Sequence, residues 1–122
     1  MPKIAIECGK VRFEVILNQT KTAQAILEAL PINSAAQRWG EEIYFEISVR
    51  TSNEIPTLEV SVGDVGYWPE GHCFCIFFGK TPASKGNTPR PASEVTLIGR
   101  TESPASLLTK VKDGDEVHLS KS

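Results

Sequence analysis

The sequence has no apolar run long enough to span a bilayer, no excess of basic residues and no Cys-x-x-Cys pair. Thirteen lysines and arginines stand against fifteen acidic residues, a net charge of −2, and the basic residues are scattered rather than gathered into a stripe. Binding a phosphate backbone calls for a basic excess or stripe, so nucleic acid is excluded as an expected partner. Met1 to Lys10 lacks the apolar centre of a secretory signal, so a cytoplasmic location away from membranes is expected. There are only three cysteines, and Cys73 and Cys75 lie two apart in one apolar run. That spacing suits neither a disulfide nor the loop that structural zinc uses. Cys8, Cys73 and Cys75 are therefore expected to be reduced and metal-free. Gly79-Lys80-Thr81 lacks the upstream glycine and the following helix of a phosphate loop, so no cofactor is implied. No repeat, low-complexity tract or linker interrupts the 122 residues, which suit a single domain over 1–122 with a core of its own.

What is present is concentrated in one stretch. Gly63 to Pro82 holds four of the nine glycines, and five of the nine aromatic residues. Cys73 to Phe78 is six apolar residues in a row, which predicts a central strand covered on both faces. Turn chemistry flanks it, with Pro69-Glu70-Gly71 before and Gly79-Lys80-Thr81-Pro82 after.

The rest reads as a series of strands. Ile4 to Cys8 and Val11 to Leu17 alternate apolar and polar residues around Gly9-Lys10, a hairpin signal. Ala23, Ile26, Leu27 and Leu30 recur at helical spacing behind a Thr20 cap, and Pro31 ends that helix. Strands are expected within Pro31 to Arg38, over Glu41 to Val49, over Leu58 to Val62, at Tyr67-Trp68, over Val95 to Gly99 and over Glu116 to Leu119. Ser103-Pro104 is expected to cap a short helical turn, and Ser120 to Ser122 to fray. The sum is a mainly β fold, a compact closed antiparallel barrel of about eight strands with one main helix over an end.

Trp39-Gly-Glu-Glu-Ile-Tyr-Phe45, Gly63-Asp-Val-Gly-Tyr-Trp-Pro69 and Phe77-Phe-Gly-Lys-Thr-Pro82 together resemble a small prokaryotic family of cyclophilin-like proteins. The order of elements agrees along nearly the whole chain. The resemblance implies a cyclophilin-type β-barrel and carries no established activity. True cyclophilins are peptidyl-prolyl isomerases whose catalytic arginine follows the first helix in a Phe-His-Arg-Val type motif. The corresponding stretch here, Leu30 to Gln37, has no arginine; Arg38 lies beyond it, toward the turn. Ile76-Phe77-Phe78 resembles the cyclophilin Gln-Phe-Phe motif, with Ile76 in place of the glutamine and Phe78 as a candidate pocket phenylalanine.

Other residues invite sharper readings. Glu70, His72 and Cys73 have the chemistry of a nucleophile set or metal site, but neighbours on a strand diverge, so a turn histidine and a packed thiol are expected. Glu41 and Glu42 are expected to be solvated charges on opposite faces. Tyr44, Tyr67 and Trp68 combine an apolar body with a polar handle and are candidate pocket residues. The ligand-binding candidates are thus Arg38, Tyr44, Tyr67, Trp68, Ile76 and Phe78. The leading expectation is a binding module for a small molecule or extended peptide. The alternatives are an atypical isomerase relying on Arg38 and an interaction subunit of a larger metabolic complex. The composition leaves room for a homo-oligomer.

Overall fold

The opening hairpin forms as its alternation predicts. In the computed structural model, which describes residues 1–122, β1 (Lys3–Cys8) pairs antiparallel with β2 (Val11–Leu17). Val11, Phe13, Val15 and Leu17 are buried while Arg12 and Glu14 face out. Helix α1 (Lys21–Ala29) follows. The Thr20 hydroxyl accepts from the Ala23 N–H at 3.1 Å, as a capping threonine should. The Glu54 carboxylate adds a second cap, accepting from the N–H groups of Lys21 and Thr22. These N–H bonds, Thr22 first, pull the Glu54 carboxyl below its ordinary range. Ala23 and Ile26 bury against the barrel interior, so the helix closes one end.

The segment after Pro31, which shows no period in sequence, joins the two edges of the sheet. β3 (Ile32–Ala35) pairs with β9 (Glu116–Lys121), and β4 (Gln37–Arg38) pairs with β5 (Glu42–Glu46). With β6 (Asp64–Trp68), β7 (Cys73–Phe77) and β8 (Thr96–Arg100), the strand order is β3-β9-β1-β2-β8-β6-β7-β5-β4. Two consecutive pieces of chain thus lie at opposite edges. Ala36, whose N–H and carbonyl bond to Asp115 and Gly114, carries the chain across. The Ser34 hydroxyl also spans the seam, donating to the Glu46 carbonyl at 2.6 Å. The result is a nearly closed antiparallel barrel of nine strands, one more than expected. No helix is long and apolar enough to cross a membrane.

Several expected boundaries move. Leu58 to Val62 alternates like a strand but lies in irregular backbone, with the isolated Thr57–Val95 bridge as the nearest ladder pairing. The strand expected to run to Val49 ends at Glu46. The short helix α2 (Ala105–Leu108) has Pro104 as its N-cap, with no capping side chain, rather than Ser103. The tail expected to fray is paired: Ser120 lies opposite Ala5 and Lys121 opposite Ile4.

β7 is the centre of the fold, as its apolar run implies. Phe74 and Ile76 point into the main barrel core, where the Phe74 and Phe45 rings stack with centroids 5.1 Å apart. Cys73, Cys75 and Phe77 point outward into a second, smaller core. Two loops supply its cover, through Val60 and Val95. Both faces of this wall are therefore dry, and the outer one carries the site.

Candidate functional site

The outer faces of β5, β7 and β6 align by register. Glu42 lies opposite Phe77, Tyr44 opposite Cys75, and Cys75 in turn opposite Gly66. Side chains directly across an antiparallel pair share a face. The loop before β8 folds over this surface, because a Cβ on Gly66 would sit only 3.2 Å from the Val95 side chain. Glycine thus lets Val95 approach the sheet. Trp68 lies over the β6–β7 turn in the same way: a Cβ on Gly71 would fall 2.5 Å from its ring.

These elements enclose a pocket of about 200 Å³ lined by Trp39, Glu42, Tyr44, Trp68, Cys75, Pro91, Ala92 and Val95. Its roof is held by side-chain bonds. The Trp68 indole N–H donates to the Ser93 hydroxyl at 2.6 Å, and Ser93 donates to the Glu70 carboxylate. The roof loop is stitched within itself, with the Thr81 hydroxyl on the Arg90 carbonyl and that of Ser84 on the Thr88 carbonyl. Both tryptophans of the chain line this one pocket.

Glu42 is the unusual member. It is only 6 % exposed, and its Oε1 is buried with no hydrogen-bond partner in the protein. The expectation of a solvated charge is overturned: the loops over the outer face cover it. Burial pushes the Glu42 carboxyl up to about 7, opposed by a hydrogen bond from the Cys75 thiol. Burial and the surrounding acidic groups push the Tyr44 phenol up as well. Native proteins leave few buried polar atoms unpaired, and each asks for a reason.

The six sequence-derived candidates divide. Tyr44 and Trp68 line the pocket. Tyr67 is fully buried on the opposite face of β6, where its hydroxyl donates to the Val49 carbonyl at 2.6 Å. Ile76 and Phe78 pack in the main core. Arg38 is committed elsewhere. Its Nη1 donates to the carbonyls of Thr109 and Val111, its Nε and Nη2 to that of Gly40, and its guanidinium lies 4.9 Å from the centre of the Phe78 ring. Arg38 thus staples the stretch after α2 to the Trp39-Gly40 turn. Arg38→Ala should lower stability by about 1.5–3 kcal/mol, the range for hydrogen bonds to a charged group. With this guanidinium occupied, neither wild type nor variant should accelerate X-Pro isomerisation in a protease-free assay. Cyclophilin-like turnover lost in a folded Arg38→Ala variant would refute that expectation.

Glu42, Trp39, Cys75 and the roof residues were not among the sequence candidates. One signal could have found Glu42: by strand parity it shares a face with the candidate Tyr44. The nucleophile and metal readings gain no geometric support. His72 sits in the β6–β7 turn at φ 55°, and no three His, Cys, Asp or Glu side chains are disposed to hold a metal ion. The three cysteines are free and buried. Burial raises the Cys8 thiol to about 12 and the Cys73 thiol to about 11, and lifts Cys75 well above the ordinary thiol range.

A nearly closed antiparallel barrel with a helix over one end and a pocket on its outer wall defines a cyclophilin-type domain. The chain belongs to the Cyclophilin-like family, whose model matches residues 2–120. It is similar to a hypothetical protein from Archaeoglobus fulgidus known from a solution structure. Identity there is 39 % and the TM-score 0.81, over 99 % of this chain and 95 % of that one. It also shares its fold with McbB, solved in complex with tryptophan, at 16 % identity and a TM-score of 0.71. The match covers 98 % of this chain and 44 % of McbB, so the chain spans less than half of that protein. No curated protein matches the sequence.

Proposed function

We propose that this protein is a small-molecule binding module whose ligand occupies the outer-face pocket, with Glu42 as the polar anchor. The observation that carries the reading is that Glu42, a buried acid with one oxygen unpartnered, lines a pocket otherwise walled by aromatic and aliphatic side chains. Leaving such a group unsatisfied costs on the order of 1–3 kcal/mol. A ligand donor in the pocket would recover that energy, and apolar walls with a few placed polar groups are the usual make-up of a ligand site. The pocket lies below the ~300–1,000 Å³ typical of drug-sized ligands, which favours a compact molecule over an extended peptide. That McbB, of the same fold, is found with tryptophan agrees with a ligand of this kind.

Because both tryptophans line the pocket, their fluorescence and indole N–H resonances report its occupancy directly. A screen of small one- and two-ring compounds, neutral, anionic and cationic, should give binders that perturb both indoles together. Binders that shift only residues of other surface cavities, such as Phe13 and Glu14, would count against the reading.

A further inference from the structure

We infer that the ligand belongs to the class of small aryl-alkyl amines, bound as ammonium ions between Glu42 and the faces of Trp39, Tyr44 and Trp68. The inference rests on the outer-face pocket being the binding site. It follows from the character of the lining. Glu42 is the only residue there that carries charge near neutral pH, and no lysine, arginine or histidine joins it. Arg38, beside Trp39 in the chain, is turned to the carbonyls of Gly40, Thr109 and Val111 and does not line the pocket. Tyr44 stands beside Glu42 on β5, Cys73 and Cys75 face it from β7, and Asp113 contributes negative potential from the turn before β9. Arg90 and Glu94 line the adjoining cavity instead. An anionic ligand would meet repulsion from Glu42, with no cation in the lining to offset it.

An ionised carboxylate only accepts hydrogen bonds, so its partner must donate. Three aromatic rings around one carboxylate attract a cation further, since ring faces are negative. The indole N–H of Trp68 is held by Ser93, which leaves Trp68 to act through its ring. The same rings offer stacking surface for a flat group, and about 200 Å³ limits the ligand to one or two rings.

Binding then carries its own proton balance. An ammonium ion stabilises the ionised Glu42, so below the pKa of the free site each ligand bound expels a proton from Glu42 to solvent. Above it, no proton is released. Calorimetry in buffers of different ionisation enthalpy should find release approaching one proton per ligand at about pH 6 and none at about pH 8.5.

The decisive comparison uses benzylamine and 2-phenylethylamine, their alcohols, and benzoate and phenylacetate, followed through Trp39 and Trp68 fluorescence at about pH 8.5. At least one amine should bind roughly tenfold or more tightly than its alcohol, as one charge-assisted hydrogen bond allows. The carboxylates should not bind. Glu42→Gln, which keeps shape and removes charge, should erase the preference for amine over alcohol. An alcohol binding as tightly as its amine, or a preference that survives Glu42→Gln, would overturn the cationic class while leaving the pocket as a binding site. No response at either tryptophan to any of the six compounds would overturn both.

Discussion

Phe77→Ala should lower the free energy of unfolding by about 3–5 kcal/mol, the range for truncating a fully buried phenylalanine. Phe77 is completely buried, yet it lies outside the main barrel core. Its ring fills the space between β7 and the loops that bring in Val60 and Val95. Those loops are joined by a bridge, with Thr57 and Val95 exchanging N–H to carbonyl bonds of 2.9 and 3.0 Å, and by the Asn53 amide donating to the Glu94 carbonyl. Irregular backbone can sag into a void more easily than a barrel wall, which would moderate the loss. Phe74→Ala, which opens the main core beside Phe45, should therefore cost at least as much. Urea midpoints at unchanged slope would measure both. Hydrogen exchange at the Thr57 and Val95 amides should also quicken in the Phe77 variant, because the ring anchors the cover over the pocket. A midpoint within error of wild type would show that the outer core contributes nothing to stability.

That second core also decides what could be read from the sequence. The six apolar residues from Cys73 to Phe78 announced a strand dry on both sides, and the opening hairpin and α1 followed from period and capping alone. Leu58 to Val62 shows why alternation is not sufficient. A strand needs a free edge to pair with, and β8 already lies between β2 and β6, as β6 lies between β8 and β7. Val60 is drawn into the outer core instead. The tail from Ser120 is ordered for the opposite reason: β1 offers it a partner more than a hundred residues away, which no local pattern reveals. In the site, parity on the strands carried more information than residue type. Tyr67 and Trp68 are adjacent on β6, so only one of them can face any given pocket. The same holds for Cys75 and Ile76. Residue chemistry favoured Tyr67 and Trp68 alike, and the resemblance brought in Ile76, whereas the outer face belongs to Trp68 and Cys75. The roof residues Pro91 and Ala92 come from a loop whose path is set by tertiary bonds, Trp68 to Ser93 to Glu70 among them.

Glu42→Gln should make stability less sensitive to pH, and the difference from wild type should grow as pH rises. In the folded chain the Glu42 carboxyl sits at about 7, against 4.5 as its ordinary value. Its folded pKa is raised, so between those values the folded state holds a proton that the unfolded state releases. Wild-type stability attributable to this group is therefore greatest below about pH 4.5, falls as pH climbs, and is fully lost above about pH 7. A displacement of this size corresponds to about 3 kcal/mol. Glutamine cannot ionise and avoids the penalty. The variant should match wild type near pH 4 and exceed it by up to about 3 kcal/mol near pH 8. Other carboxyls act in both proteins and cancel in the difference. Glu54, whose carboxyl is lowered by the helix N–H groups, contributes stability that is lost toward acid, the opposite sign. Denaturant unfolding of the two proteins across this range gives the difference directly. A constant offset would mean that Glu42 carries the same charge folded and unfolded, and that its burial imposes no electrostatic cost. A rising offset would show that the fold holds a carboxylate at a loss of stability at neutral pH. Such a loss at a buried acid with one oxygen unpartnered is what the proposed site would carry until a donor binds.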